Sequence, residues 1–493
     1  MTHSSCMSLL RIILVLSLWL LNSCAVGPNF KRPAPSLPET YAAKINSKTI
    51  ATNTKLGTAQ TFIATQDLPK QWWRVFNSSA LNDLVIASLK CNPTVTAAQH
   101  ALHAALETAY SARGALYPTL AVSFLPSRQK TADLLTSVLA SNQYLYSLYT
   151  GQIYVSYTLD VFGGTRRQVE SLMADAEAQH FQLEATYLTL TANVVSAAIQ
   201  EAGLREQIAA IHAIITSQKK LLAIAQQQFK LGDNALIDVV TQQAALAASE
   251  ASLPPLQKQL AIQRNLLNAL IGRYPEDKRT PRFTLNSLHL PKNLPLSVPS
   301  ELIEHRPDIR AAEAQMHSAN ALIGVAIANR LPKFTLDGTN AGTAATTIGT
   351  LLQPQTRFWA LAGIIAHPIF NGGILRHKQH AAKEVYCQAA AQYRSTVINA
   401  FQNVTDTLKV IQSDAIALHA ANKSERAALT SLNISRKQFA LGDNSLVALL
   451  LLQQNYQQAR LNLIQAQTNR LADTVALFQA LGGGWQKTSL AKK

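Results

Sequence analysis

Apolar positions along this chain follow two different periods, and the switches between them come twice in the same order. Helical spacing begins around Trp72, Trp73, Phe76, Leu81 and Leu84. A second helix opens at Asn92-Pro93, where Asn can cap and Pro suits the first helical position, and it runs through Ala-rich sequence to Pro118. The period then drops to two, with Leu120, Val122 and Phe124 alternating with Thr119, Ala121 and Ser123. After a looser segment the alternation returns at Gln152. Ile153, Val155, Tyr157, Leu159 and Val161 share one face, and Gly163-Gly164 ends the run. Helical sequence follows from Arg166 to Leu231, turns at Gly232 and returns toward Gly272, with a kink or break expected at Pro254-Pro255 because proline lacks a donor.

The programme then repeats. Arg306-Pro307 opens a helix as Asn92-Pro93 does, and Pro332 ends it as Pro118 does. Strand-like segments are expected at Lys333 to Thr339 and around Phe358 to Phe370. Gly372-Gly373 leads into a helix reaching Leu441, and a last helix runs from Leu446 to Leu481. On that helix Leu461, Ile464, Thr468, Leu471, Val475 and Phe478 alternate spacings of three and four, a coiled-coil seam. The chain therefore reads as a tandem duplication, mainly α with a small β part. The expected organisation is a signal peptide over 1–23, a linker over 24–70, a first repeat over 71–272, a Pro-rich connector over 273–299, a second repeat over 300–484 and a tail over 485–493.

One phrase marks the centre of each half. Gln228-Phe229-Lys230-Leu231-Gly232-Asp233-Asn234-Ala235-Leu236 returns as Gln438-Phe439-Ala440-Leu441-Gly442-Asp443-Asn444-Ser445-Leu446. Glycine after the last helical residue takes the left-handed conformation cheaply, and Asp or Asn is expected to cap the next helix. Each phrase is thus the tip of a helical hairpin, and the matched pair implies two equivalent ends with one job. The helices entering the tips reach roughly 100 Å at 1.5 Å per residue if continuous. The alternating strands have the length of tilted membrane-spanning strands, although single runs of that kind also occur in half-buried sheets. Four strands cannot close a barrel in lipid, where an edge leaves backbone groups unsatisfied, so several copies must pool them; two copies give eight strands with a filled interior, and three give twelve with room for a lumen.

Composition supports a helical protein with an uncharged polar face: 48% of residues are hydrophobic and only 15% charged. The net charge of +16 is scattered, without the clustered basic face and aromatics of a nucleic-acid binder. Arg11 precedes the apolar run Ile12 to Leu21, which is too short for a membrane helix and has signal-peptide anatomy. No later run is read as a membrane helix. Cys91 and Cys387 are read as small helix-packing residues, with a disulfide between them left open. No catalytic set, metal site or cofactor motif is found. His100, His103, His377 and His380 lack a partnered nucleophile or a consistent ligand set, and the Gly163-Gly164 pair matches no phosphate loop.

Several stretches resemble one family. Leu21-Asn22-Ser23-Cys24 resembles a bacterial lipoprotein box, with Cys24 as the lipidated residue and an ordinary cleaved signal as the alternative. Cys24 to Phe30, Lys31-Arg32-Pro33, Trp72-Trp73-Arg74-Val75-Phe76, Pro299 to Glu313 and Ala480-Leu481-Gly482-Gly483-Gly484-Trp485 resemble the TolC-like outer membrane efflux proteins, in the lipid-anchored NodT-type branch serving RND pumps. In the Pro299 to Glu313 stretch, His305 replaces the usual Arg. The resemblance implies a homotrimer with a twelve-stranded outer-membrane β-barrel and a long periplasmic α-helical barrel, passively conducting small molecules outward. It also implies tips, Leu231, Gly232, Asp233, Leu441, Gly442 and Asp443, that contact a periplasmic adaptor joined to an inner-membrane RND-type pump.

In the family, aspartates beyond the second tip line a closed aperture. Here residues 446–452 read Leu-Val-Ala-Leu-Leu-Leu-Leu, so the aperture is expected to be lined by Leu450 and Leu451, with Asp443 or Asp238 as the remaining acidic ring. The plainer reading makes those leucines the hairpin's packing core. Competing functions are an exit duct for type I protein secretion and a lipid-anchored periplasmic tether without a pore.

Overall fold

The structure, a computed structural model, describes residues 25–33, 46–64, 68–130, 145–233, 235–277, 279–296 and 299–484. The signal peptide, Cys24, Asn234 and the tail from Trp485 lie outside the described residues. Nine α-helices are described: α1 Ser79–Cys91, α2 Pro93–Gly114, α3 Gly164–Leu231, α4 Leu236–Ala251, α5 Leu253–Leu270, α6 Pro299–His305, α7 Pro307–Ala328, α8 Ile374–Ala440 and α9 Leu446–Ala480. The described strands are β1 Thr61–Ala64, β2 Thr119–Lys130, β3 Leu145–Leu159, β4 Asn293–Leu296, β5 Lys333–Ala345 and β6 Arg357–Ala366. Contacts divide the chain into two compact units.

One unit comprises the stretches around residues 101–179 and 312–393 together with the N-terminal segment to Pro33. Its sheet has the order β2-β3-β5-β6, antiparallel throughout. The register carries the alternation across strands: Leu120 pairs Val155, Val155 pairs Gly338 and Gly338 pairs Leu361, while Leu159 pairs Phe334 and Phe334 pairs Ile365. One face is therefore apolar. The other is polar and bonded across strands, with Ser156 Oγ donating to Asp337 Oδ1 at 2.6 Å. Register shifts at Ile153/Tyr154 and Thr339/Gly342 re-aim the rows.

These strands are longer than their sequence pattern. β2 runs through Pro126, which an edge strand tolerates, and β3 starts at Leu145, where Gly151 interrupts the alternation. The final strand is shorter than expected, ending at Ala366 before Pro368.

The segment Ala25–Pro33 is docked. Val26 N donates to Phe162 O at 3.0 Å, and buried Arg167 donates to Val26 O at 3.2 Å and to Asn29 Oδ1 at 2.6 Å. Phe30 stacks on His317 with centroids 4.4 Å apart, and Arg32 pairs with Glu313 at 3.0 Å. This stretch and 46–64 fall within the expected linker, yet both are held in place.

The other unit comprises the stretches around residues 34–100, 180–311 and 394–493. Here the two spans read as linkers meet: β1 and β4 pair in parallel, Thr61 with Asn293 through Ala64 with Leu296. The polar 46–64 stretch is clamped by Arg470, whose side chain is fully buried on α9. Arg470 donates to Thr58 O at 2.8 Å, Thr49 Oγ1 at 3.1 Å and Gln60 Oε1 at 3.3 Å. A buried guanidinium needs such acceptors, and Thr and Gln supply them without charge.

The duplication is visible as matched joints. Asn92 Nδ2 donates to Leu270 O at the end of α5, and a Cβ on Gly272 would run into the Cys91 carbonyl. In the second half Arg306 Nη1 donates to Ala480 O at the end of α9, and a Cβ on Gly482 would run into the His305 carbonyl. Each helix-opening proline thus abuts the end of the last long helix of its own half, and only glycine allows the backbones so close. Trp72 stacks on Phe478 beside the second joint, with centroids 5.4 Å apart.

Three expectations need correction. Cys91 and Cys387 are free and exposed, so neither is a packing residue and no disulfide joins them. The seam on α9 is buried except for half-buried Leu461, but the buried face is wider, adding Leu463, Gln467, Arg470, Thr474 and Leu477. Pro254-Pro255 breaks the returning helix as expected, α4 ending at Ala251. Ser252 keeps helical dihedrals, and α5 restarts at Leu253, with a proline in the first turn where its missing donor costs nothing. Helix α3 also contains an 18-residue stretch that could cross a membrane by length and composition alone. Only 22% of that stretch is buried among the described residues.

Candidate functional site: the hairpin tips

The two tips close in the same way because the same residues surround the same glycine. At the first, Gly232 N donates to Phe229 O at 3.1 Å and Asp233 N to Gln228 O at 2.9 Å. At the second, Gly442 N donates to Phe439 O at 3.2 Å and Asp443 N to Gln438 O at 2.9 Å. This is the two-bond Schellman closure, and both glycines sit at φ +84°. No atom lies within 4 Å of a Cβ built at either, so the glycine is demanded by backbone conformation alone.

The expected Asp or Asn cap is not found among the described residues. Helix α4 starts after Ala235 without a side-chain cap, and α9 is capped by Ser445, whose Oγ accepts from Ala448 N at 3.2 Å. Asn444 turns back and donates from Nδ2 to Ser435 Oγ at 2.7 Å. Freed from capping, the exposed Asp443 and Asp233 carboxyls point the tips' charge outward. Leu231 and Leu441 are exposed beside them, 70% and 77%. Each tip thus exposes a leucine beside an aspartate.

Beyond the glycines the tips diverge. Leu236 is exposed while its counterpart Leu446 is buried. The leucine run divides by helical period: Leu446, Leu449 and Gln453 are buried, while Val447 and Leu451 form an exposed stripe one turn apart. Leu450 is half-buried and, with Leu451, borders a groove against Gln218, Thr241 and Ala245. The packing-core reading thus fits Leu446 and Leu449, whereas Leu451 stays outside that core. Val447 was not singled out, although its spacing of four from Leu451 marks it. Asp238 is half-buried in the first turn of α4, where a carboxylate faces the positive end of the helix dipole.

The chain matches the family described as outer membrane efflux protein over residues 84–273 and 298–483. It is 27% identical over 430 residues to the pyoverdine export outer membrane protein OpmQ of Pseudomonas putida, covering 86% of this chain and 90% of that protein. It is 26% identical over 477 residues to the antibiotic efflux pump outer membrane protein ArpC of Pseudomonas putida, covering 96% and 95%. The solved outer-membrane channel OprN superposes with a TM-score of 0.84 at 26% identity, covering 94% of this chain and all of that one. The fold is that of the TolC-like channels, a mostly helical chain with a small sheet part and an internal repeat, and the chain belongs to the outer membrane efflux protein family.

Proposed function

We propose that this chain is the outer-membrane exit duct of a tripartite efflux system, passively conducting small molecules supplied by an inner-membrane pump. The observation that carries this reading is the sheet β2-β3-β5-β6. It is apolar on one face, and its end strands β2 and β6 each have one strand neighbour among the described residues. In lipid those edges must be paired, so the working unit pools strands from several copies. A homotrimer gives twelve strands around a lumen, with the long helices forming the periplasmic part. Cys24 carries the lipid, the two Leu-Gly-Asp tips contact the periplasmic adaptor, and the pump beyond it is of RND type. No cofactor, catalytic group or nucleic acid enters this scheme.

Relatives named for antibiotic efflux and pyoverdine export support efflux over type I protein secretion. A helical tether without a pore leaves the apolar sheet face unused. The test is planar-bilayer conductance of the purified protein together with its heat-modifiable mobility on SDS gels. Stepwise single-channel conductance and a trimer band are expected; a monomer without conductance overturns the proposal.

A further inference from the structure

We infer that the outer rim of the sheet holds a site for an anionic, phosphate-bearing lipid of the outer leaflet, on the apolar face where β5 meets β6. The inference rests on the proposed placement of this sheet in a membrane. A cavity of about 580 Å³ opens there, bordered by Asn340, Thr343, Leu352, Arg357 and Trp359.

The register puts these groups on the membrane side. A Cβ built on Gly338 would touch Leu361 and Asn340, and one built on Gly151 would touch Phe124 and Thr343. Alternation from Leu361 carries Trp359 and Arg357 onto the same face, and Arg357 pairs with Thr343. Thr343 and Thr356 both donate to Leu351 O, which pins the β5–β6 loop and leaves exposed Leu352 beside the cavity.

Height and charge select the ligand. Strands β5 and β6 meet their helices at the Lys333 and Ala366 ends, so Arg357 lies at the far, outward end. From Ile365 to Arg357 is eight residues, about 27 Å of strand, or about 21 Å of height at a tilt of about 40°. An apolar band is about 25 Å tall, so the guanidinium reaches head-group level. It has no hydrogen-bond or ion-pair partner among the described residues. Among the described residues of β2, β3, β5, β6 and the β5–β6 loop, the only acid is Asp337, bonded to Ser156 on the opposite face. The rim is thus an uncompensated cation above apolar surface. A phosphate accepts two parallel bonds from Arg357, and an acyl chain lies against Trp359 and Leu352.

Trp359 reports on its own neighbours. The full-length protein should be reconstituted in phosphatidylcholine vesicles containing either phosphatidylcholine or phosphatidic acid with brominated acyl chains. The quenching lost in Trp359→Phe isolates this residue's signal. Brominated phosphatidic acid should quench saturably and about fivefold more effectively, as one arginine at an anionic head group implies. Arg357→Gln should bring that ratio to about one, and so should Leu352→Glu, a change at an exposed loop position that keeps the test open if the first variant fails to fold. Arg128→Gln, at the outer end of β2, should leave the ratio unchanged, and excess inorganic phosphate should not displace the lipid. Equal quenching by the two lipids, a ratio indifferent to Arg357→Gln and Leu352→Glu, one equally sensitive to Arg128→Gln, or displacement by phosphate overturns the inference. Conductance and a trimer band would then leave the exit-duct reading standing. Absence of Trp359 quenching by either lipid overturns both.

Discussion

Arg306 and Ala480 are joined by a 3.0 Å hydrogen bond from the guanidinium Nη1 to the carbonyl that ends α9. Asp308 holds the other side of the same guanidinium through two bonds, 3.0 Å to Nε and 2.6 Å to Nη2. The two sequence stretches most typical of the family are thus one physical joint, in which a fixed cation faces the negative end of a helix. Arg306→Ala leaves that carbonyl unpaired and should lower stability by about 2 kcal/mol. Arg306→Lys should recover only part, since an ammonium cannot serve both partners in fork geometry. Denaturant titration followed by circular dichroism measures both.

Gly232→Ala and Gly442→Ala each force a Cβ into the left-handed region, costing about 1–2 kcal/mol locally. With no neighbour to strike, the damage stays at the tip. Adaptor crosslinking at Asp233 and Asp443 should fall while the global melting temperature holds; equal crosslinking in the variants would remove the tips from the docking surface. Gly442→Asn should behave nearly as the parent, because Asn tolerates this conformation.

The leucine run gives a contrast within one turn of helix. Leu451→Ser, on the exposed stripe, should raise single-channel conductance with little change in stability. Leu449→Ser, at a fully buried position, should cost about 2–4 kcal/mol. The double change of Leu450 and Leu451 to Ser mixes the two effects, so conductance should be read first from Leu451→Ser. Unchanged conductance there would assign the stripe no part in the aperture.

Asp414 carries a pH dependence. Burial, then its contact with the Asp473 carboxyl, pushes its pKa from 3.8 up to about 7, against the opposing pull of Arg470. The raised value means that the folded protein holds this proton more tightly than the unfolded chain. The stabilisation is full below about pH 4 and is lost as pH rises through about 7. Asp414→Asn keeps a neutral group there, and its melting temperature should fall less than the parent's between pH 5 and pH 8. Parallel pH profiles for the two proteins would refute the assignment.

Much of this was legible in the residues. Period-two runs located the sheet, and the Leu-Gly-Asp phrases located both turns, because these features depend on local conformation and on one face meeting one environment. Strand length was not legible where Pro126 and Gly151 interrupt the alternation, since cross-strand pairing continues through them. The role of residues 46–64 was hidden for another reason. A polar stretch without periodicity resembles a linker until its partner is known, and Arg470 sits more than 400 positions away. The tip surface was readable, but the division between Leu449 and Leu451 required knowing which helix face was covered.

The docking of Ala25–Pro33 bears on how the protein is held in its membrane. With Val26 N already bonded to Phe162 O, only Ala25 separates a lipidated Cys24 from fixed backbone, a reach of about 7 Å. An anchor on so short a lead cannot drift as a float on a rope does. On the proposed lipidation of Cys24, the anchor would act as a surveyor's stake, fixing the height of the bilayer surface against the protein.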